Sequence, residues 1–414
     1  MIASTRKTWQ HGKQIDACLF ATILRHPHNL PELRCTPCRF PPPPGKVNFH
    51  ETKFLTRRHI DEAMRYIAVQ LRRAMRRPCK QPETDPHIMI KKMTLAVLLT
   101  ALIPFYACQA QAMTEAKPVS AEVTTTLTPD IGGIKQVVEI KTDDANKPVL
   151  LFLSGGPGSS MIKGADAFSN VLKSRFTIVQ WDQRDAGKTL KLNPSPTQPS
   201  VEQMEQDTYQ VIQFLRKELK QEKIYLLGSS WGNVLGFYIV KHHPELLHAY
   251  FASNPVVSQL ESEKELLQAL KAHFKDNALA SQELGSISFP FTSDESMFYL
   301  RKWLFYKDGK EFATSAGFKT GFLQWSKTWS PVWNEVMHID LPKTLKSVDC
   351  PVYFFVGKND IQTSTRITQA YFEALKAPNK GLFFFDHSGH QIHQDEPAKF
   401  QEAIIKTLDA AAKS

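Results

Sequence analysis

A ten-residue stretch near the middle of the chain, KIYLLGSSWG at residues 223–232, constrains the fold more than any other feature. Its apolar first half predicts a short buried strand, which stops at a Gly-x-Ser-x-Gly pattern centred on Ser230. Residues 233–242 show no strand alternation and predict a helix that ends at a proline. A direct strand-to-helix turn strains its central residue, so the flanking residues must lack a Cβ atom. We therefore expect Ser230 to stand exposed at the tip of this turn.

Strand and helix signals alternate on both sides of this stretch. Short apolar runs that predict buried strands lie at 149–153, 176–181, 224–227, 249–252, 352–356 and 382–385. Helical patterns separate most of them, as at 201–219, where apolar side chains fall on one face. Such alternation predicts an α/β fold with a mainly parallel sheet covered by helices on both faces. Ahead of it, the alternating segments 122–127 and 135–140 flank Asp-Ile-Gly-Gly and predict a hairpin.

The chain from residue 113 onward has the length of one enzyme domain, but its strand signals pause between 255 and 345. That segment is helical in pattern and rich in aromatic residues. We expect residues 113–254 and 346–414 to form the core, and residues 255–345 to form a helical cap over the carboxyl edge of the sheet.

The formal net charge of +10 suggests a nucleic-acid partner, but the excess is confined to the N-terminal part of the chain. Residues 1–92 hold 18 Lys+Arg and 7 Asp+Glu, whereas the remainder holds 33 and 34. The part that carries the chemistry is close to neutral, so we expect no nucleic-acid partner for it. Only Cys350 follows Cys108, so no disulfide can form within the chain after residue 108.

Residues 1–88 predict a poorly ordered basic extension, because ten of the 26 prolines lie there and apolar periodicity is mostly missing. The exception is a basic amphipathic pattern at 60–77, which is typical of a membrane or RNA surface; the alternative is an isolated helix without function. Cys35 and Cys38 resemble half of a zinc site, but no second pair follows at finger spacing, and we expect no metal.

The segment 89–112 has the three-part layout of a secretory signal peptide, with two lysines, an apolar run and a closing Ala-Gln-Ala. The apolar run is short for a membrane span and contains a proline. We expect an exported protein, periplasmic or secreted, whose translation starts at Met89 or Met93. A lipid anchor on Cys108 is the alternative, although the aromatic residues just before it fit a lipobox poorly.

Ser230 needs two partners, because a serine hydroxyl is a weak nucleophile until a histidine takes its proton and a carboxylate orients that histidine. The chain order Ser, acid, His is typical of this strand-turn-helix arrangement. Asp360 follows the strand signal at 352–356, and His390 follows the last strand signal in a glycine-containing loop. We therefore predict a triad of Ser230, His390 and Asp360. The rival candidates are Asp386 as the acid and His387 or His393 as the base.

The negative oxygen that develops during such an attack must be held by backbone N–H groups. We predict Trp231, directly after the nucleophile, as one donor. The other is Gly156 in the run Ser-Gly-Gly-Pro-Gly, where glycines let the backbone approach the substrate. This run is not a phosphate loop, since no Gly-Lys-Ser/Thr follows it.

Three motifs resemble those of the proline iminopeptidase family of α/β-hydrolases. SGGPG at 154–158, WDQRDAGKT at 181–189 and GSSWG at 228–232 are similar to the family's HGGPG, DQRGxGxS and GxSWG. Asp360 and His390 fall where that family keeps its acid and its base.

The resemblance spans roughly residues 119–410 and implies an α/β-hydrolase fold. It also implies a serine aminopeptidase that releases an N-terminal residue, often proline, without metal or cofactor. The chain departs from the motifs in three places: Ser154 replaces the histidine, Asp185 replaces a glycine, and the proline usual soon after the acid is missing. These departures leave open which small peptide, amide or ester is the substrate, because related members include other amidases and esterases.

The cap is where substrate choice would reside, and the resemblance implies that cap carboxylates bind the free amine. The candidates are Asp294, Glu295, Glu311 and Glu335, and the pattern assigns none of them. The cap also holds Trp303, Trp325, Trp329 and Trp333. Trp325 and Trp329 lie at helical spacing, which we interpret as core packing rather than a proline pocket. Ser330-Pro331 predicts the end of that helix before Trp333.

Two alternatives stay open at this point. The first is the same triad acting on esters or non-proline amides. The second is a binding protein on a catalytically lapsed hydrolase scaffold, which the intact serine, aspartate and histidine argue against. The scissile bond and the oligomeric state are also open.

Overall fold

The computed structural model describes residues 121–411. The predicted extension at 1–88, the export segment at 89–112 and Cys108 lie outside the described residues and stay predictions. Within the part of the chain that is described, no helix is both long enough and apolar enough to cross a membrane.

Between residues 121 and 411 the chain forms ten strands. They are β1 (Val123–Leu127), β2 (Asp130–Ile131), β3 (Ile134–Lys135), β4 (Val137–Thr142), β5 (Val149–Leu153), β6 (Thr177–Asp182), β7 (Ile224–Ser229), β8 (Leu247–Ser253), β9 (Val352–Gly357) and β10 (Lys380–Phe385). Eight of them form one sheet in the order β1-β4-β6-β5-β7-β8-β9-β10, and β2 pairs with β3 separately. The β1–β4 and β4–β6 pairs are antiparallel, and all pairs from β6 to β10 are parallel. The predicted mainly parallel α/β sheet, with its N-terminal hairpin, is confirmed.

The same range contains twelve α-helices. They are α1 (Asp166–Ser169), α2 (Gly187–Leu192), α3 (Val201–Glu218), α4 (Gly232–His242), α5 (Gln259–His273), α6 (Ala278–Gly285), α7 (Asp294–Lys307), α8 (Ala316–Val336), α9 (Leu341–Thr344), α10 (Thr365–Ala374), α11 (Ile392–Asp395) and α12 (Pro397–Ala411). Helices α5 to α9 lie in the chain between β8 and β9, in the segment predicted as the cap.

Both faces of the sheet are covered, which explains the continuous apolar runs of its central strands. Successive side chains of β5 point to opposite faces and enter different cores. Leu150 packs with Phe168 of α1 and Phe400 of α12. Leu151 packs with Val211 of α3 in the second core, which continues into the cap. The sheet is therefore a rigid, dry platform, and its strand ends carry the site.

The cap differs from the prediction at Pro331, which lies inside α8 rather than at its end. A proline within a helix removes one hydrogen bond and tends to kink or stop the helix. Here Trp329 and Trp333 are both buried on either side of it, and Ser330 donates a hydrogen bond to Asp294 of α7 at 2.7 Å. Packing of this face compensates for the lost bond, so the predicted helix end before Trp333 is wrong.

Candidate active site

Ser230 lies at the turn between β7 and α4, with a backbone φ of 52°, in the left-handed region that is uncommon for a side chain other than glycine. Gly232 permits this tight turn, because a Cβ atom at that position would lie 2.1 Å from the carbonyl oxygen of Leu153. The Ser230 N–H donates to the carbonyl oxygen of Ser253 on the neighbouring strand at 3.0 Å. The predicted strand, turn and helix are present, but Ser230 is 6% exposed rather than open to solvent. The cap covers it and leaves a cavity above it.

The structure brings Ser230, His390 and Asp360 together from three separate loops at the carboxyl ends of β7, β9 and β10. Nε2 of His390 lies 2.8 Å from Oγ of Ser230. Nδ1 of His390 lies 2.8 Å from Oδ2 of Asp360. This hydrogen-bond chain has the geometry in which a histidine accepts the serine proton while a carboxylate fixes the histidine tautomer.

Asp360 is 4% exposed and is held by its own loop as well as by His390. Its Oδ1 accepts hydrogen bonds from the backbone N–H groups of Gln362 and Thr363, and its Oδ2 accepts one from Oγ1 of Thr363 at 2.7 Å. Burial alone raises the pKa of Asp360, but the charge and hydrogen bond of His390 and the Thr363 donors outweigh it, so the pKa lies below its ordinary value. The acid therefore stays ionised when it is needed to orient the base.

The rival residues occupy other environments. Asp386 forms ion pairs with Lys358 and Lys399 at the surface, which lower its pKa to about 2. His387 is exposed. His393 is buried with its ring 5.0 Å from that of Phe168, and burial lowers its pKa to about 4. Of the three rivals only His393 borders the cavity, and none reaches the hydroxyl of Ser230.

The two predicted oxyanion donors flank Ser230. Gly156 has a φ of 122°, where a Cβ atom would also lie 2.8 Å from the nitrogen of Gly158. Between residues 121 and 411, the backbone N–H groups of Gly156 and Trp231 donate to no other residue. Both N–H groups are therefore free to donate to a substrate oxygen, which is what an oxyanion hole requires.

Gln183 links the side chain of Trp231 to the loop that carries Gly156. Sequence reasoning missed this role, although Gln183 lies within the quoted motif at 181–189. Its Oε1 accepts from the indole N–H of Trp231 at 3.0 Å, and its Nε2 donates to the carbonyl oxygen of Ser154 at 3.1 Å. The Ser154 hydroxyl in turn donates to the carbonyl oxygen of Ser159 at 2.9 Å. Ser154, which replaces the motif histidine, thus closes the Gly156 loop with a single hydrogen bond.

Asp185, which replaces a motif glycine, has a φ of 54°. Aspartate tolerates the left-handed region better than most residues because its short polar side chain bonds locally. Here Oδ1 accepts from the N–H of Ser195 at 2.8 Å. The left-handed conformation of Asp185 is therefore accompanied by a hydrogen bond to Ser195, which lies ten residues on, beyond α2.

A cavity of about 770 Å³ opens above Ser230 and His390. Its floor includes Gly156, and its roof comes from α7 and α8 of the cap. Trp325 of α8 lines this roof, and its indole N–H donates to the carbonyl oxygen of Pro157 at 2.9 Å. The interpretation of core packing holds for Trp329, which is 3% exposed. Trp325 is partly buried against the same core and also lines the cavity.

None of the four candidate acids of the cap borders this cavity. Asp294 accepts from Ser330, Glu335 accepts from the backbone N–H of Val201 at 3.0 Å, and Glu295 lies 3.6 Å from Lys319. Sequence reasoning missed the acid that is buried nearby, Glu263, because it joins Arg301 from a different helix with no local pattern. Between residues 121 and 411, no group of three or more His, Cys, Asp or Glu side chains could hold a metal ion.

The α/β-hydrolase class is defined by a serine at a strand-turn-helix junction, together with a histidine and a carboxylate, at the carboxyl edge of a mainly parallel sheet. This chain has that arrangement, with two free backbone N–H groups beside it. Residues 148–397 match the family described as alpha/beta hydrolase fold, which is more than half of the chain. The chain therefore belongs to the α/β-hydrolase fold family, and it is a hydrolase.

The resemblance to proline iminopeptidases is also confirmed. The probable aminopeptidase YbaC of Bacillus subtilis (strain 168) is 27% identical over 303 residues, which cover 67% of this chain and 93% of that protein. A proline iminopeptidase of Clostridium botulinum is 25% identical over 274 residues, which cover 64% and 90%. The crystal structure of a proline iminopeptidase-related protein from Thermus thermophilus has a TM-score of 0.50 and 20% identity, and the match covers 70% of this chain and 98% of that one. At 20% identity, this structural similarity supports the fold and not the activity.

Proposed function

We propose that the protein is a serine hydrolase that cleaves a small amide or ester through an acyl-enzyme. The observation that carries this proposal is the hydrogen-bond chain from Asp360 through His390 to Ser230, which ends at the floor of a cavity roofed by the cap helices. A cavity of this volume is typical of sites that bind small molecules, and it places a substrate within reach of Ser230.

The geometry assigns a role to each group. Oγ of Ser230 attacks the substrate carbonyl carbon while Nε2 of His390 takes the hydroxyl proton. The N–H groups of Gly156 and Trp231 hold the oxygen that becomes negative. His390 then gives its proton to the leaving amine or alcohol. The same nitrogen next takes a proton from a water molecule that attacks the acyl carbon, and it returns that proton to Oγ of Ser230 as the acid leaves. Asp360 stays ionised throughout and stabilises the imidazolium.

The finer proposal is an aminopeptidase of the proline iminopeptidase type, which releases the N-terminal residue of a peptide. Its support is the naming of the relatives from Bacillus subtilis and Clostridium botulinum, which align with more than 60% of this chain.

A second candidate is an esterase or non-proline amidase that uses the same triad. It is favoured by the composition of the cavity, since the described residues that border it include no Asp or Glu to bind a free ammonium group. The two candidates differ in the substrate and share the chemistry.

The test uses the full chain, as wild type and as Ser230→Ala, against aminoacyl arylamides including proline, their N-blocked copies and short-chain esters. Ser230-dependent cleavage that needs a free N-terminus would support the aminopeptidase. Cleavage of esters or blocked amides alone would support the second candidate. Absence of any turnover by folded protein would favour a lapsed scaffold that only binds.

We also propose that the protein is exported, on the basis of the signal-peptide layout at 89–112. N-terminal sequencing of the protein from a cell envelope or medium fraction tests this. A mature N-terminus close to residue 113 supports export, whereas a protein in the cytosol that retains residues 89–112 contradicts it.

A further inference from the structure

The roof of the Ser230 cavity is an aromatic surface with two gaps. Phe318, Phe322 and Trp325 of α8 line it together with Phe305 of α7. Gly317 and Gly321 lie between these rings, and a Cβ atom on either glycine would meet nothing within 4 Å. The roof therefore offers open apolar space, which fits an aliphatic or aromatic side chain of the acyl group.

Acidic side chains, which a site for an ammonium group needs, are missing from the described lining of this cavity. Among the described residues that line it, none is Asp or Glu, and Arg301 is the only Lys or Arg. His393 also lines it and is neutral near pH 7, because burial lowers its pKa to about 4. A free amine at this position would lose its water without gaining a carboxylate, which is costly.

Arg301 of α7 is 7% exposed and is held in place by Glu263 of α5. Nη1 donates to Oε2 of Glu263 at 2.9 Å, and Nη2 donates to Oε1. The guanidinium carries five N–H groups, and between residues 121 and 411 its only hydrogen-bond acceptor is Glu263. Three N–H groups of a buried, cavity-lining arginine are therefore without a protein acceptor.

Glu263 itself is unavailable to a substrate. It is fully buried, and besides the two bonds from Arg301 it accepts from the indole N–H of Trp333 at 2.9 Å and from Nε2 of Gln259 at 3.0 Å. Three of these four donors bond to Oε1 and one, Nη1 of Arg301, bonds to Oε2, and Glu263 does not border the cavity. Glu263 therefore orients Arg301 toward the cavity and does not replace the missing ammonium site.

We propose that Arg301 is a specificity residue that binds a hydrogen-bond acceptor, a carbonyl or carboxylate oxygen, on the acyl part of the substrate, and that the roof of α8 holds that part's apolar body. The preferred substrate thus carries an acylated or otherwise uncharged amine rather than a free ammonium. Because the Arg301–Glu263 pair is neutral overall, recognition rests on directed N–H donors, and both kinds of oxygen are accepted. This inference rests on the proposed serine hydrolase, since it names the substrate of the same cavity. Of the two candidates for that hydrolase, it favours the esterase or non-proline amidase over the aminopeptidase.

The test measures binding to full-length Ser230→Ala by calorimetry, so that it does not depend on turnover. Four 4-nitroanilides share one benzyl side chain: those of phenylalanine, N-acetylphenylalanine, N-succinylphenylalanine and 3-phenylpropionic acid. We expect the acetyl and succinyl compounds to bind about tenfold tighter than the phenylalanine and phenylpropionic compounds, as one added charge-assisted hydrogen bond allows. Tight binding of the succinyl compound without tight binding of the acetyl compound would overturn the acceptance of a carbonyl oxygen.

The decisive variant is Arg301→Met combined with Glu263→Leu, which removes the pair without leaving a buried charge. It should reduce the preference for the acetyl and succinyl compounds about tenfold, as a ratio of dissociation constants. Arg301→Lys, which keeps the ion pair and loses the planar donors, is the second variant if the double one does not fold. The matched control is Lys302→Met with Glu283→Gln, a neighbouring ion pair that does not line the cavity, and it should keep the wild-type ratio.

Tightest binding of the free phenylalanine compound would overturn the inference, and so would a ratio that Arg301 variants leave unchanged. Failure of the proposed function is a separate result: it would appear as wild-type protein that binds these compounds in the predicted order but hydrolyses none of them.

Discussion

The core side and the cap side of the cavity differ in the residues that form them and in the interactions that position those residues. On the core side, Ser230, His390 and Asp360 stand on loops at the ends of parallel strands, and each has a hydrogen-bond partner within 3 Å. On the cap side, the described residues that line the cavity are mostly aromatic, and Arg301 among them is positioned by an ion pair to another helix.

The comparison teaches how the two tasks of the protein are separated. Strand ends of one sheet lie in a fixed relation, so the groups that must meet within tenths of an ångström are placed there. Helices of the cap pack mainly by side chains, and the triad residues lie outside them. Changes on the core side should lower the rate for all substrates, whereas changes on the cap side should alter stability or preference.

The largest effect is expected for Asp360→Asn on the core side. The amide keeps the shape of the side chain but favours the wrong tautomer of His390 and cannot stabilise the imidazolium. We expect kcat to fall on the order of 10³- to 10⁴-fold for ester and amide substrates alike. Steady-state kinetics on at least two substrates measure this. A loss confined to one substrate would break the separation between core and cap.

On the cap side, Glu263→Gln should destabilise the fold by about 3 kcal/mol, because it leaves the buried guanidinium of Arg301 without its counter-charge. Glu283→Gln is the matched control, and its ion pair with Lys302 is more exposed, so a smaller loss is expected. Urea unfolding of both variants gives the two free energies. Equal losses would show that burial of the Glu263 pair has no special weight.

A pH-dependent effect is expected at the cavity wall, where burial lowers the pKa of His393 to about 4. An unfolded histidine binds a proton below about pH 6.5, and the folded one does so only near pH 4, so stability is lost as the pH falls between these values. His393→Gln should remove about 2 to 3 kcal/mol of the stability difference between pH 7 and pH 4.5. Urea unfolding at both pH values measures it. An unchanged difference would mean that His393 is protonated in the folded state.

The smallest effect is expected for Thr363→Val, which removes the hydroxyl donor to Asp360. Asp360 keeps its two backbone donors, so we expect kcat to fall only about tenfold. Thr363→Ser retains the hydroxyl and should stay close to wild type. If serine does not restore the rate, the methyl packing of Thr363 rather than its hydrogen bond positions the acid.

Much of the core side could be predicted from sequence because each part has a local signature. The turn at Ser230 is marked by glycines that the backbone requires, and Asp360 and His390 each follow a strand signal in the order that the fold imposes. Asp360 and His390 lie 130 and 160 positions after Ser230 in the chain. Their location at strand ends of the same sheet brings them to the same site.

The cap side could not be predicted in the same way. Arg301 and Glu263 lie 38 positions apart on two helices, and no periodicity joins them. Pro331 predicted a helix end, but the packing of neighbouring tryptophans decided otherwise. Of the four acids singled out by sequence, Asp294, Glu295 and Glu335 contact other partners, and none of the four borders the cavity. A carboxylate is common on any helix, and only the packing shows which one is buried.

The central claim, that Ser230 is an activated nucleophile, is tested most directly by covalent labelling. Full-length protein is treated with a fluorophosphonate, and the adduct is located by intact mass and peptide mapping. The account predicts one adduct per chain on Ser230, no adduct in folded Ser230→Ala, and much slower labelling in His390→Ala. Folded wild-type protein that stays unlabelled, or that is labelled equally fast without Ser230 or His390, would contradict it.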